Sequence, residues 1–460
     1  MRKLSFLLLI LILFSSSTLA KDDQSQDADV LSIILGPSIV ALNGPWRFHT
    51  GDNPQWADPN FDDAGWETVD LTPLPGSHDD DVGLTGYVGG WMSKGHRGYT
   101  GYAWYRMRVS VKSQPGTVLA LAGPPSVDYA YQVFIDGRLL GSDGDFSGPT
   151  PVVYSIQPRM FIPQLSQSGY SLIAFRVWLG PPGIGFAPDS GGIHIAPALG
   201  DVSSVQARYR LQWLQTFCGY VVDAIEPALF MMLAVMAASL IPFDRSDRAY
   251  LWLITALTIS ALVRLQQVFF FWTQSESIQT FDLIKGVVLI PLALGAWTVA
   301  WNAWLGSIRS SWFIKSIAAL TALYIGTQML ARPWLFPSIP HSVAAWLLTI
   351  SNCLRLVYAL FTVFIVFRGI KQRKSEAYFA LPAVVMLSIG LFAQELSWLG
   401  VRGIWFPYGT GVSRTQYAYA IFDLLMFGLL LRRLVQFAPH RVNAEGSHHI
   451  ATQESMNESK

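Results

Sequence analysis

Long apolar segments in the second half of the chain constrain its fold more than any other feature. Seven of them succeed one another, and each can cross a hydrocarbon layer of roughly 30 Å as a helix. They lie near residues 217–241, 250–273, 280–305, 313–331, 342–367, 377–400 and 415–436. Because backbone polar groups must be paired inside a membrane, these segments predict a bundle of seven transmembrane helices over residues 206–436.

The first twenty residues, MRKLSFLLLILILFSSSTLA, predict export of the domain that comes after them. Arg2 and Lys3 precede an apolar run at 4–14, and Thr18 and Ala20 supply the small residues of a cleavage site. This pattern is typical of a secretory signal peptide at 1–20, and an uncleaved N-terminal anchor is the alternative. Residues 21–37 predict a flexible segment before the first domain.

The distribution of basic residues predicts how the helices are oriented. An exported first domain makes the first helix run inward, and the loops then obey the positive-inside rule. Basic residues in the loops and tail predicted to lie inside are Arg245, Arg248, Arg309, Arg368, Lys371, Arg373, Lys374, Arg432 and Arg433; those predicted outside are Arg332, Arg402 and Arg414. We therefore expect a multi-pass protein of a bacterial inner (cytoplasmic) membrane, with a periplasmic N-terminal domain and a disordered cytoplasmic tail at 437–460.

Residues 38–205 have the alternation of β-strands. Residues 103–111 place Ala103 and Tyr105 opposite Trp104 and Arg106, which predicts a half-buried strand. Residues 171–179 repeat the alternation, and the Asp136–Gly137 pair between apolar runs predicts a hairpin. The fold class expected is a multidomain membrane protein, an all-β jelly-roll sandwich followed by an all-α seven-helix bundle.

Four motifs in this region resemble a known domain. LNGPWRFHTGD (42–52), FDDAGWETVDL (61–71), GYAWYRMRVSV (101–111) and YQVFIDGRLLGSDGDF (131–146) occur in this order. The series resembles the galactose-binding-like jelly roll at the front of family 2 glycoside hydrolases. In those enzymes this domain is accessory and the catalytic acids lie in a subsequent barrel, which has no counterpart here. The resemblance therefore implies the fold and sugar affinity, and we predict a protein that is not an enzyme and uses no cofactor.

Five aromatic residues among glycines are the candidate ligand site of this domain. They are Tyr87, Trp91, Tyr99, Tyr102 and Trp104. Exposed aromatic rings suit the apolar face of a sugar, although packing inside the domain is the alternative. A triplet of acids, Asp79, Asp80 and Asp81, has the oxygen ligands that calcium prefers, but a solvated loop is the interpretation favoured. No metal site is predicted.

Ionisable residues within the apolar segments form a second candidate site. They are Asp223, Glu226, Arg264, Asp282, Lys285, Arg355, Glu395 and Asp423. Charges are costly in hydrocarbon, so we expect them to turn inward and to pair, with Arg264 and Arg355 each close to an acid of this set. They gather in the half of the bundle nearer the exported domain. Two interpretations stay open: structural pairing, or a water-filled funnel that takes a ligand or couples to the jelly roll.

The order of signal peptide, jelly roll and seven helices resembles bacterial seven-transmembrane receptors with diverse intracellular signalling modules. The resemblance includes ARYRLQWLQTF (207–217), where the chain enters the membrane. It implies a sensory receptor. In that family a cytoplasmic output domain usually comes after the last helix, and this sequence departs from the pattern there, so the signal is expected to pass to a separate cytoplasmic protein. The partners expected are membrane lipid, a carbohydrate ligand and that protein; a net charge of +1 gives no support for nucleic acid. A transporter or channel, and a carbohydrate-binding membrane protein without signalling, are the alternatives.

Overall fold

The computed structural model describes most of the chain beyond residue 37. The described ranges are 38–78, 85–111, 116–165, 171–180, 188–243, 248–306, 308, 311–372, 374–401, 403–404 and 413–458, with no side chain described for residue 374 or beyond 436. The predicted signal peptide, the flexible segment at 21–37 and the acid triplet at 79–81 lie outside these ranges and stay predictions.

Antiparallel strands build the first part of the described chain as two facing sheets. The strands are β1 Ile39–Ala41, β2 Trp46–Thr50, β3 Glu67–Val69, β4 Gly101–Val109, β5 Leu119–Ala122, β6 Ser126–Val127, β7 Ala130–Ile135, β8 Arg138–Asp143, β9 Met160–Phe161, β10 Ser171–Leu179, β11 Ile193–Ile195 and β12 Ala198–Asp201. The larger sheet has the order β3-β2-β4-β10-β7-β8, the smaller β1-β12-β5-β9, and β11 pairs with β6. We call this part the β domain.

The central strands of the larger sheet are buried on both faces. Tyr105 of β4 pairs with Phe175 of β10, and both side chains lie in the core. On the opposite face Arg106 is fully buried, because its guanidinium donates to Asp63 (2.8 Å) and to carbonyl oxygens of the segment before it. The strand predicted at 103–111 is therefore present as β4, and Arg108 is exposed on one face as alternation predicts. Residues 103–106 differ from the prediction, because the segment around Asp63 covers the face that alternation assigned to solvent.

The hairpin predicted at Asp136–Gly137 is present between β7 and β8. Asp136 has φ 47° and Gly137 has φ 82°, so both lie in the left-handed region that a two-residue turn of this kind requires. The strand predicted at 171–179 coincides with β10. In these places local turn chemistry and alternation were sufficient to predict the structure.

Helices make up the rest of the described chain. They are α1 Val202–Gly219, α2 Val221–Leu240, α3 Ala249–Trp272, α4 Ile278–Leu305, α5 Ser311–Leu330, α6 His341–Gln372, α7 Lys374–Leu391, α8 Ala393–Trp398 and α9 Arg414–Glu458. Asp201 begins α1 by accepting bonds from the N–H groups of Ser203 and Ser204, a usual N-cap. Within α4, the segment Asp282–Leu289 is a π-helix, in which the N–H of Ile290 bonds the carbonyl of Lys285.

Five helical spans in the described residues are long and apolar enough to cross a membrane. They are Val202–Leu240, Ala249–Trp272, Ile278–Leu305, Ser311–Leu330 and His341–Gln372. The apolar helix Ser375–Leu391 is shorter, and α9 is not among the five. Helices therefore occupy all seven predicted segments, while the count of seven crossings stays a prediction.

The C-terminal tail differs from expectation. Residues 437–458, predicted to be disordered, continue α9 as one helix to Glu458. A helix that is already formed extends with one hydrogen bond per added residue and without a new nucleation cost, which favours this continuation.

Candidate functional site

Arg264 lies between two acids at the centre of the first polar cluster. Its Nη1 is 2.8 Å from Asp223 and its Nε 2.6 Å from Glu226, and all three side chains are buried. The acids are three residues apart on α2, so they share one helix face toward α3. The ring of Tyr419 from α9 covers the guanidinium at 4.1 Å. The predicted pairing of Arg264 is confirmed.

Helix α9 adds further polar groups to this cluster. The amide of Gln416 donates to Asp223 (2.6 Å) and to the carbonyl of Gly219 (2.7 Å), which joins α9 to α2. Asp423 lies one turn beyond Tyr419, and within the described part of the chain neither of its buried carboxylate oxygens has a hydrogen-bond partner. The side of the cluster near α9 thus carries an acid that no base neutralises directly.

Arg355 forms the second predicted pair. Its Nη2 is 2.9 Å from Glu395 and 3.0 Å from the carbonyl of Leu391, so α6 is joined to α7 and α8. Its Nη1 donates to the hydroxyl of Tyr324 on α5 at 3.4 Å. The expectation that Arg355 lies beside an acid of the set is confirmed.

Arg332 was missed as a member of the cluster. Sequence analysis assigned it to an outer loop because it comes directly after an apolar segment, yet only 1% of its surface is exposed. Its guanidinium makes a two-pronged contact with Asp282 (Nε 2.5 Å and Nη2 2.8 Å). A charged residue immediately beside the end of an apolar segment was the signal available for it.

Lys285 differs from the three arginines. Its Nζ donates to Gln267 at 2.8 Å and lies 4.9 Å from the ring centre of Phe281. Among the described residues no carboxylate lies within ion-pair distance of it. Both Lys285 and Asp282 belong to the π-helical segment of α4, a local widening that is frequent at functional sites.

A cavity of about 200 Å³ lies within the helices, and all four bases reach its wall. Arg264, Lys285, Arg332 and Arg355 line it together with the amides of Gln267, Gln328, Asn352 and Gln394. The acids that pair with the arginines are not part of this wall. Three of the predicted residues, Arg264, Lys285 and Arg355, therefore meet at one space. Its functional role stays a prediction.

The aromatic cluster of the β domain does not form an exposed platform. Trp91 is 1% exposed and Trp104 is fully buried. Trp91 packs against Phe48, while Trp104 stacks on Phe134 with ring centres 5.3 Å apart. The assignment of Trp91 and Trp104 to sugar binding is therefore wrong, because neither ring has a free face.

The three tyrosines of that cluster are half-buried. The ring of Tyr102 is covered by Arg176 at 4.0 Å, and the hydroxyl of Tyr99 donates to the carbonyl of Tyr102. Tyr87 stacks on His194 with ring centres 4.6 Å apart, and its hydroxyl donates to Asp189. Their part in ligand binding stays a prediction.

His194 is held in its charged form. Its Nδ1 faces the carbonyl of Val88 at 2.9 Å and its Nε2 faces Asp128 at 3.1 Å, so both ring nitrogens must carry protons. Burial opposes this charge, but the carboxylate of Asp128 and the two hydrogen bonds outweigh it and raise the pKa of His194 above its usual value of 6.5. The same pairing outweighs burial and lowers the pKa of Asp128.

The β domain bonds directly to the connection between α3 and α4. Arg159 donates to Gln274 (2.6 Å) and to Asp143 (3.0 Å), and Gln274 donates in turn to Asp143 (3.1 Å). The hydroxyl of Ser155 donates to the carbonyl of Thr273. Burial raises the pKa of Asp143, and Arg159 counteracts part of that rise.

The same contact region approaches the polar cluster. The N–H of Ile278, at the start of α4, donates to the carbonyl of Val153. Burial raises the pKa of Tyr129 in the β domain to about 12, and the negative charges of Asp128 and Asp282 add to this rise. The charge of Asp282 in α4 is therefore close enough to act on Tyr129 of the β domain.

Comparison with known proteins finds solved structures that are similar to part of this chain. No family model matches the sequence, and no curated protein matches it. A solved beta-glucuronidase of Bacteroides uniformis is 19% identical over 36% of this chain and 18% of its own, with a TM-score of 0.27. A family 2 glycosyl hydrolase of Bacteroides cellulosilyticus is 18% identical, and the match covers 35% of this chain and 20% of the hydrolase with a TM-score of 0.26. A Bifidobacterium dentium beta-glucuronidase complexed with coumarin-3-O-glucuronide is 16% identical, and the match covers 39% of this chain and 31% of that enzyme with a TM-score of 0.26.

These comparisons correct one prediction. The chain was expected not to be an enzyme, and this is contradicted, because the solved structures that match it are glycoside hydrolases. The match spans less than a third of their length at low identity, so no enzymatic activity is established for this chain either.

Proposed function

We propose that the protein is a membrane receptor whose β domain lies outside the cytoplasm and senses a ligand there, with carbohydrate the candidate that the sequence resemblance implies. The helices would pass the change to a separate protein in the cytoplasm. The orientation, the ligand and the partner are parts of this proposal.

The hydrogen bonds between the β domain and the α3–α4 connection support the proposal most. Arg159 and Asp143 bind Gln274, and five residues after Gln274 the chain is already within α4. Helix α4 carries Asp282 and Lys285, which belong to the polar cluster around the cavity. A displacement of the β domain would therefore move α4 directly, and α4 packs against neighbouring helices that bear the other charges.

The predicted topology is consistent with this contact. In an inward-running first helix, the connection after α3 lies outside, which is the side expected for the β domain. An exported domain that bonds to an outer connection has the arrangement that a receptor needs. A membrane anchor for a carbohydrate-binding domain would not require such bonds.

Uncoupling variants test the proposal. Gln274→Ala removes three hydrogen bonds to the β domain, and Gln279→Ala, an exposed glutamine of the same region, is the matched control. Hydrogen–deuterium exchange is measured in lipid nanodiscs at the opposite helix ends, residues 236–243 and 364–372. We expect Gln274→Ala, and not Gln279→Ala, to change exchange there. A change confined to residues 143–160 and 272–280 would reject transmission through the helices.

A transporter is the second candidate, and the cavity is the observation that favours it. A space between helices with polar side chains in its wall is where transporters bind their substrates. Flux separates the two functions. Proteoliposomes that accumulate a bound solute faster than protein-free vesicles would indicate a transporter, whereas a receptor binds without flux.

A further inference from the structure

Three amide side chains in the wall of the helical cavity have no hydrogen-bond partner among the described residues. They are Gln328 of α5, Asn352 of α6 and Gln394 of α8. Gln328 is the most informative of them, because only 7% of its surface is exposed. A buried amide without a partner is unfavourable, so an occupant of the cavity that bonds this amide would be stabilised.

The positions of two of these amides direct them to the cavity. Gln328 lies four residues before Arg332, and Asn352 lies three residues before Arg355, so each shares a helix face with a base of the cavity wall. Neither polar atom of Gln328 is completely covered, although the residue as a whole is buried. Its amide therefore borders the cavity. An amide both donates and accepts hydrogen bonds, which is the pairing that a hydroxyl group requires.

The charges around the cavity favour a neutral occupant. Five acids and four bases make up the cluster: Asp223, Glu226, Asp282, Glu395 and Asp423 against Arg264, Lys285, Arg332 and Arg355. An anion would add to the excess of acids. A cation would face the four bases, because they line the wall and the acids do not. A neutral solute avoids both costs, which are large in apolar surroundings.

The rest of the wall suits the carbon skeleton of a small solute. Ile290 and Leu348 supply aliphatic surface, and Tyr324, Trp398 and Tyr419 supply aromatic rings. Such surfaces pack against the C–H groups of a sugar or sugar alcohol while a few polar groups orient its hydroxyls. A volume of about 200 Å³ is below the usual range of roughly 300–1,000 Å³ for drug-sized ligands, which restricts the occupant to a small molecule.

We infer that this cavity is a binding site for a neutral monosaccharide or sugar alcohol, with Gln328 as its principal hydrogen-bonding group. Asn352 and Gln394 bind further hydroxyls, and the aromatic and aliphatic wall packs against the carbon skeleton. The inference goes beyond the proposed function, because it places a ligand site among the helices and not in the β domain. It requires neither signalling nor flux.

Binding of matched solutes to the full chain in nanodiscs tests the site by calorimetry. Glucose, galactose, mannose, inositol and sorbitol are the neutral probes. Gluconate and N-methylglucamine are six-carbon counterparts that carry a negative and a positive charge. We expect at least one neutral probe to bind, and both charged solutes to bind at least tenfold more weakly than it does. Gln328→Leu should weaken binding of that neutral probe about tenfold, because a ligand hydroxyl then loses its partner.

Two further variants distinguish loss of the site from loss of the fold. Gln279→Leu changes an exposed glutamine outside the cavity wall and should bind as the native chain does. Asn352→Leu, at a half-buried position, replaces Gln328→Leu in the test if thermal unfolding shows that the latter does not fold. The inference is overturned if no neutral probe binds, or if a charged counterpart binds equally well. Binding that the folded wall variant leaves unchanged would lie elsewhere, as in the β domain; this outcome overturns the inference and leaves the receptor proposal intact.

Discussion

Each buried arginine of the helices lies where an acid from another helix meets it. An arginine keeps its charge in hydrocarbon, so a neighbouring carboxylate and carbonyl groups must satisfy it. For Arg355, Glu395 supplies the carboxylate and Leu391 supplies the carbonyl group. The pair thereby links α6 to α7 and α8.

Removal of one partner of the Arg355–Glu395 pair should lower the stability of the chain more than removal of both partners. Arg355→Leu leaves Glu395 buried beside an apolar side chain, so we expect a loss of about 3–5 kcal/mol of stability. Arg355→Leu combined with Glu395→Leu should recover much of this loss. Thermal unfolding of the full chain in detergent measures both, with Arg210→Leu, an exposed arginine of α1, as the control. A double variant no more stable than Arg355→Leu would contradict the pairing.

His194 makes the stability of the β domain depend on pH. Its pKa is higher in the folded chain than the usual 6.5, so the stabilising charge is fully present below pH 6.5 and is lost as the pH rises through the folded value. We expect the unfolding temperature of the β domain to fall from pH 6 to more alkaline values. His194→Gln should flatten this dependence, and His49→Gln, an exposed histidine, should keep it. A native profile that is flat above pH 6 would refute the charged His194.

The pairing of charged side chains was predicted more successfully from the sequence than the exposure of aromatic rings. Charge in an apolar segment must be neutralised, so pairing of Arg264 and Arg355 could be inferred from the residue types alone. The choice of Glu395 for Arg355 depends on which helices are neighbours, which the sequence does not contain. Trp104 was misassigned because the segment around Asp63 folds over the face that alternation left to solvent.

The π-helical segment of α4 is the element that places both charges of that helix. Its wider turn allows Asp282 to meet Arg332 while Lys285 reaches Gln267. Gly286 lies inside this segment, and a Cβ built there would be 2.7 Å from the Oδ1 of Asp282. The absence of a side chain at 286 therefore leaves room for the Asp282–Arg332 pair.

Gly286→Ala should disturb this pair and lower stability. The new methyl group displaces a carboxylate that two hydrogen bonds hold in place, so we expect a loss of about 1–3 kcal/mol. Gly326→Ala on α5 meets nothing within 4 Å and should be neutral or stabilising by up to about 1 kcal/mol, because alanine favours a helix. Thermal unfolding of the two variants side by side gives the comparison. Equal effects would show that the segment tolerates a side chain.

The division of the chain into a β domain and apolar helices was predictable from its sequence, but the number of crossings was not. Alternation and turn residues predicted strands, and apolar length predicted helices at all seven positions. Ser375–Leu391 is short for a crossing, so its status depends on tilt and on its neighbours rather than on composition. The contact of Gln274 with the β domain was likewise absent from any local pattern, because its two sides are more than a hundred residues apart.

Reporter fusions can separate seven crossings from five. A phosphatase that is active only outside the cytoplasm should be active after Gly200, silent after Gly306 and active after Gly400, because six crossings return the chain to the side where it began. After Gln436 it should be silent again. If the last two apolar segments did not cross, the fusion after Gly400 would be silent while those after Gly200, Gly306 and Gln436 were unchanged. Activity after Gly400, with equal amounts of each fusion on an immunoblot, therefore decides the count, and activity after Gln436 would contradict both topologies.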